Sequence, residues 1–530
     1  MIGRWLAATV AVGMSVLAGP TWAQSTLRMA LTTDASGLGL AGSPQPAHLH
    51  GFLVHDQLFA LDSAGHARPQ MVETHQTSAD GLEHRITLRD GLFFHDGQAV
   101  RAADAVASID RWMRYTQNAQ PLASATAALD IVDEQTFTIR LSRPFALVAE
   151  LLANRTASAV FVRPERVERR PPGAGLNDTI GSGPFMVSPQ DMPTGRRPVA
   201  SRSAQPRLTY LRNPNYRPRS DAQDGLAGGK HALLDRVELL AFAVPADAVA
   251  ALRAGEVDVI EQVPLDQVRV LEQDRHIRMM ELNPAGFMIQ LHFNHAQPPF
   301  DRVEARQALL HIIDQQEVGR AIGVRTSEQI PYCSAFYFCG TRWESSRGAQ
   351  GLRDVNVDGA RELLRAAGYS GQPVVLINSA DISVVNATAQ VLVESFRRAG
   401  LNVDLRNHNW VTAMQHRSRR GPVDQDGWSL AIELAQSINQ DSPLNNLRLG
   451  CAFRLPDRLC DQPMEDQRRA WWEESDPVAR QEILHRLHAR AYEVLPYIIA
   501  AQFRTLTAHR TNIEGLRATT VPVFWGVTKR

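Results

Sequence analysis

The segment Ile86-Thr87-Leu88-Arg89-Asp90-Gly91-Leu92-Phe93-Phe94-His95-Asp96-Gly97 constrains the fold more tightly than any other part of this chain. It holds two short apolar runs, each bounded by Asp-Gly, the dipeptide that accepts the positive φ of a tight turn. Val106, Ile109 and Met113 then recur at the spacing of an amphipathic helix. The pattern predicts strand, turn, strand, turn and helix, with Asp104 in the first helical turn complementing the helix dipole.

Elsewhere, strand-like runs at 135–141 and 374–377 alternate with helical patterns at 358–367 and 388–399, which predicts α/β lobes. Gly368 and Gly400 stand where a helix end takes a left-handed residue, and each is followed by a strand or its lead-in. Repeated helix, glycine and strand units predict doubly wound sheets. The Pro/Gly-rich stretch 214–229 reads as a surface excursion before a strand-like pattern resumes at 233–242.

Arg4 precedes an apolar run at 6–17, followed by Gly19-Pro20 and the small-residue ending Thr21-Trp22-Ala23. This is the pattern of a secretory signal peptide, 1–23, cleaved to release a periplasmic protein. The run is too short to span a bilayer, and no other stretch approaches about 20 apolar residues, so no direct membrane insertion is expected. No Cys follows the run, which favours a free protein over a lipid-anchored one. The remaining length suits roughly three domains of about 150 residues. Lys+Arg and Asp+Glu number 56 each, so the net charge is zero and no global field favours nucleic acid or an anionic membrane. The Arg-rich stretch 195–207 also contains Pro, Ser and Gly and reads as a solvated loop.

Four cysteines fall as two near pairs in a chain bound for an oxidising compartment. Of the three pairings that four thiols allow, loop closure favours Cys333 with Cys339 and Cys451 with Cys460. Five and eight intervening residues do not fit the short loops of structural zinc sites. Enzyme motifs are missing: there is no His-Glu-x-x-His, no Gly-x-Ser-x-Gly and no dinucleotide glycine fingerprint, so no catalytic residue and no cofactor is assigned. Gly228-Gly229-Lys230 is similar to the end of a phosphate loop, but His231 stands where magnesium would need Ser or Thr. His48, His50 and His55 lie close together without a carboxylate or thiolate to complete a ligand set, so no metal site is assigned.

The segment from Leu88 to Gly97 resembles the "LRDGVKFHDG" element of the family 5 extracytoplasmic solute-binding proteins, the dipeptide, oligopeptide and nickel receptors of ABC importers. Arg101 stands where that pattern has a capping Thr. Further on, Gly181-Ser182-Gly183-Pro184-Phe185 resembles its "GTGPY" and Asn213-Pro214-Asn215-Tyr216 its "NPDYW". Ala251-Leu252-Arg253-Ala254-Gly255-Glu256-Val257-Asp258 is similar to its "ALxxGEvD". Phe293-Asn294, Pro298-Pro299-Phe300-Asp301, Val303, Arg306-Gln307-Ala308 and Ile313-Asp314 follow in the family's order.

The resemblance implies a two-lobed α/β periplasmic-binding-protein fold with an added middle domain. The first lobe would comprise 24–67, 179–282 and 496–530, the added domain 68–178 and the second lobe 283–495. It implies a monomeric, non-enzymatic receptor that captures a peptide or other small solute and delivers it to an ABC permease and its ATPase subunits. The alternatives are a receptor for a nickel chelate, glutathione or an opine, and from another class a secreted hydrolase. In the resembling receptors an extended ligand pairs with strand edges on both lobes, and a second-lobe aspartate meets its α-ammonium. The corresponding edges here are Leu31-Thr32-Thr33-Asp34 and Gly427-Trp428-Ser429, with Trp428 either a cleft wall or a core aromatic. Ala431 occupies the anchor position. Glu433 lies on the same strand face and is the nearest substitute, with Asp424 and Asp426 as alternatives before the strand.

Overall fold

The computed structural model describes residues 25–32, 44–156, 158–170, 179–191, 207–325, 329–330, 332–350, 354–451, 456 and 458–530. The expected signal peptide lies outside them.

Two large sheets form the lobes. The first has the order Ile277–Met280, Thr507–Arg510, Val259–Ile260, Thr26–Thr32, Arg236–Phe242, Arg207–Arg212, Phe185–Val187. Its core strand Thr26–Thr32 runs parallel to both neighbours, in register from Thr26 opposite Arg236 to Thr32 opposite Phe242. The second has the order Gln329–Ile330, Tyr497–Phe503, Phe287–Phe293, Leu430–Gln436, Pro373–Ser379, Asn402–His408. Both sheets are mixed: the helix, glycine, strand units form parallel pairs such as Pro373–Ser379 with Asn402–His408, while antiparallel strands fill the other positions. Gly368 and Gly400 take φ of 78° and 93° after their helices, which spares them the Cβ clash of a left-handed residue.

A third, four-stranded antiparallel sheet is built from Val72–Thr77, Glu83–Leu88, Thr136–Leu141 and Thr126–Ile131. After Glu83–Leu88 the chain turns at Gly91, but the expected second strand is reduced to one bridge between Phe93 and Ala99. The turn at Asp96-Gly97 leaves room for only a few rungs. Phe94 N donates to Gln98 O and Val100 N to Leu92 O, while Leu92 and Phe94 are buried. Helix Ala102–Tyr115 follows. Its Asp104 carboxylate accepts from the Arg101 N–H at 2.9 Å and from the Glu165 N–H at 2.7 Å, binding the helix start to the short helix Glu165–Glu168. Gly181 and Gly183 let the 181–185 turn press against the carbonyls of Leu53 and Val54, where a Cβ would overlap.

Among the described residues two segments cross between the lobes. Residues 281–286 link Ile277–Met280 to Phe287–Phe293, and residues 504–506 link Tyr497–Phe503 to Thr507–Arg510. Tyr497–Phe503 therefore belongs to the second sheet, and the return to the first lobe falls at 504–506 rather than at 496. The crossing segments run side by side. Gly286, at φ 63°, approaches so near that a Cβ would overlap the Phe503 carbonyl oxygen. Gln502 donates to the Ala285 carbonyl at 2.8 Å, and Arg504 pairs with Glu281 at 3.0 Å.

Candidate ligand-binding cleft

Beside the crossing segments lies a cavity of about 520 Å³ walled by both lobes, within the range of small-molecule sites. Its position follows from strand direction. Thr32 ends one parallel strand of the first sheet, and Glu261 and Gln262 directly follow its parallel neighbour Val259–Ile260. In the second lobe, Gln436, Ile438 and Asn439 stand at and beyond the end of Leu430–Gln436, and Ile382 and Trp410 follow its parallel companions Pro373–Ser379 and Asn402–His408. Both walls are thus made at the carboxyl ends of parallel strands, where open α/β sheets place their ligands.

Local structure aims these groups. Trp410 is the first residue of helix Trp410–Arg417, whose cap Asn409 accepts from the Thr412 N–H at 2.9 Å, and half of its surface is exposed. Ser437 ties the second wall to the crossing: its N–H donates to the Gly286 carbonyl and its hydroxyl to Asn283 Oδ1 at 3.0 Å. On the first wall, Thr507 Oγ1 donates to the Glu261 carbonyl at 2.6 Å. His48 lies 2.5 Å from the Arg155 carbonyl, and burial pulls its pKa down to about 4, so it is neutral at pH 7. A smaller cavity of about 200 Å³ is bordered by Pro284 and Ala285 of the crossing, and Thr520 borders both cavities. Arg155 bonds Asp441 there at 2.9 Å, joining the segment after the added domain's sheet to the second lobe.

The residues singled out from sequence fall in two groups. Thr32 lines the cleft at the end of its strand, opposite Phe242 on one side, while the pairing on the other side is with Met29 and Ala30 only. Thr33 and Asp34 lie outside the described residues.

Gly427, Trp428 and Ser429 stand at the amino end of Leu430–Gln436, away from the cleft. The Ser429 N–H donates to the Val375 carbonyl, and Asn294 bonds the Ser429 and Trp428 carbonyls from the other side, so no backbone edge is open to a ligand. Trp428 is 0% exposed, packed with Val375, Ile377, Ala413 and Ala431. Of the two readings left open for Trp428, its burial fits the core aromatic.

Glu433 is likewise engaged within its lobe. It bonds Arg417 at 2.7 Å and also Arg448, with His292 at 3.8 Å, and it borders neither cavity. Burial alone would raise its pKa, but Arg448 and Arg417 outweigh burial and hold it at about 2. Asp426 pairs with Arg406 and Arg419 on an exposed turn, and Asp424 borders neither cavity. Sequence reading missed Glu261, Trp410, Gln436, Ile438 and Asn439 as wall residues. Their signal was position, each lying at or just past the end of a strand-like run.

The remaining motifs are structural. Cys333 is bonded to Cys339 and Cys451 to Cys460, the nearest-neighbour pairing. Lys230 is buried against Asp56 at 2.7 Å, and Tyr216 donates to the same carboxylate at 2.8 Å, which leaves no amine for a phosphate. His50 and His55 are buried, and burial lowers both pKa values. Among the described residues no cluster of metal-ligating side chains occurs, and no helix is long and apolar enough to cross a membrane.

Residues 66–438 match the model of the bacterial extracellular solute-binding proteins, family 5. A probable peptide ABC transporter periplasmic-binding protein of Sinorhizobium fredii is 31% identical over 96% of this chain and 94% of its own length. The backbone superposes on DppA of Helicobacter pylori, solved with the peptide STSA, with a TM-score of 0.74 at 18% identity, covering 96% of this chain and 98% of that one. It also superposes on AgaA of A. tumefaciens R10, solved with agropinic acid, with a TM-score of 0.73 at 20% identity, covering 95% and 99%. With its two lobes, paired crossings and interlobe cleft, the chain belongs to the family 5 bacterial extracellular solute-binding proteins.

Proposed function

We propose that this protein is the periplasmic substrate-binding component of an ABC importer, enclosing a peptide-like solute between its lobes and handing it to the permease. The observation that carries this reading is the cavity walled by strand ends of both sheets beside the two crossing segments. A solute touching both walls favours the closed arrangement, and closure presents the two lobe surfaces together to the transporter. The relative from S. fredii supports the peptide-like class. Export with cleavage near Ala23 and a monomeric state complete the reading.

A thermal-shift screen of the exported protein against di- to pentapeptides, glutathione, opines and nickel chelates tests it. A true ligand at ~100 times its Kd adds about 2.7 kcal/mol of stability. Stabilisation by nickel chelates or opines alone would replace the peptide-like class, and turnover of the peptides would point to a hydrolase.

A further inference from the structure

Asn154 and Arg155, in the segment after the added domain's sheet, bond both lobes at once. Their backbone faces the first lobe: the Asn154 carbonyl accepts from Gln57 Nε2 at 2.8 Å, and the Arg155 carbonyl meets His48 of the cleft wall. Their side chains reach the second lobe. Arg155 Nη2 donates to Asp441 at 2.9 Å and Asn154 Nδ2 to Asn445 Oδ1 at 3.1 Å, while Asn445 Nδ2 donates to the same Asp441 carboxylate at 2.8 Å. Asp441 directly follows the short helix Ser437–Gln440, which carries Ile438 and Asn439 of the opposite cleft wall. Earlier in the same segment, Arg143 pairs with Glu473 at 3.1 Å and the Ala146 N–H donates to the Trp472 carbonyl at 2.8 Å.

Going beyond the receptor reading, we propose that Asn154 and Arg155 are positioning residues by which the added domain clasps the second lobe in the closed arrangement, with Arg155–Asp441 as the bond that makes and breaks. Parting the lobes about the crossing segments 281–286 and 504–506 leaves the chain intact, so the contacts that must separate are these non-covalent ones. The Arg155 and Asp441 side chains keep 20% and 13% of their surface exposed, so each charge regains water as the bond parts. A polar joint of that kind is the ordinary form of a reversible interdomain contact. Neither residue borders the larger cavity. The clasp therefore sets the balance of open and closed forms without touching the solute, and it scales the affinity for every solute by the same factor.

Small-angle X-ray scattering of the exported protein without ligand tests the clasp, so the result does not depend on which solute the receptor takes. Asp441→Asn keeps the shape and removes the charge, and Arg155→Gln breaks the same bond from the added domain. Each should shift the radius of gyration upward from the wild-type value, and the double variant should shift it no further than the larger single change, because both act on one bond. Raising salt from about 10 mM to about 1 M shortens the Debye length from about 30 Å to about 3 Å. That should move the wild type the same way and the double variant hardly at all. The variants decide the matter where they fold, and the wild-type salt series where they do not. In the deciding series, a radius of gyration that stays at its starting value makes residues 154–155 a permanent joint and overturns the clasp, while the receptor reading stands.

Discussion

Trp428 and Trp410 stand at opposite ends of the parallel strands of the second lobe. Trp428 precedes Leu430–Gln436 and is 0% exposed, whereas Trp410 follows Asn402–His408 and is 50% exposed. The amino end of a strand inside an open sheet is covered by its neighbours and by the returning helices. The carboxyl end opens where helices begin, and there the second lobe faces the first. Two identical side chains thus hold different offices, one filling a core and the other walling a cleft.

The comparison breaks most visibly through stability. Trp428→Ala should cost about 3–5 kcal/mol, the price of a large aromatic removed from a full core, read as a lowered guanidinium midpoint. A cost near that of an exposed site would place Trp428 outside the core.

Glu433→Gln should cost about 3 kcal/mol at pH 7, because Arg417 and Arg448 keep their burial and lose their counter-charge. Its folded pKa lies at about 2, below the ordinary 4.5. The stabilisation is therefore full above pH about 4.5 and is lost as pH falls toward about 2. The variant's stability curve should flatten across that window, and an unchanged acid limb would show that the ion pairs contribute nothing.

Gly286→Ala should cost about 1–3 kcal/mol, since it places a Cβ at positive φ against Phe503. Ser437 bonds the Gly286 carbonyl, so ligand affinity should fall as well. A stability loss with affinity intact would uncouple the crossing from the cleft wall. The smallest expected stability change belongs to Trp410→Ala, within about 0.5 kcal/mol, with weaker ligand binding. Unchanged affinity in that variant would remove Trp410 from the site.

Much of the fold was legible because its signals are local. The Asp-Gly turns, the helix-ending glycines and the order of motifs each occupy a few residues and state their geometry directly. The disulfides were legible for the same reason, since partners six and nine positions apart meet by loop closure alone. Glu433 misled because an acid at the right strand parity looks like an anchor until Arg417 and Arg448 are seen beside it. The expected strand at Leu92–Phe94 failed because alternation does not count ladder rungs.

The sequence by itself determined the α/β class, the punctuation of strands and helices, the cysteine pairing and the family. Tertiary structure alone decided which tryptophan is core, which acid is already neutralised and which residues wall the cleft. Thr32, Glu261, Trp410 and Gln436 are far apart in the chain and meet because parallel strands of two sheets end at one gap. No local pattern encodes that meeting, since it depends on sheet order and on where the chain crosses between lobes.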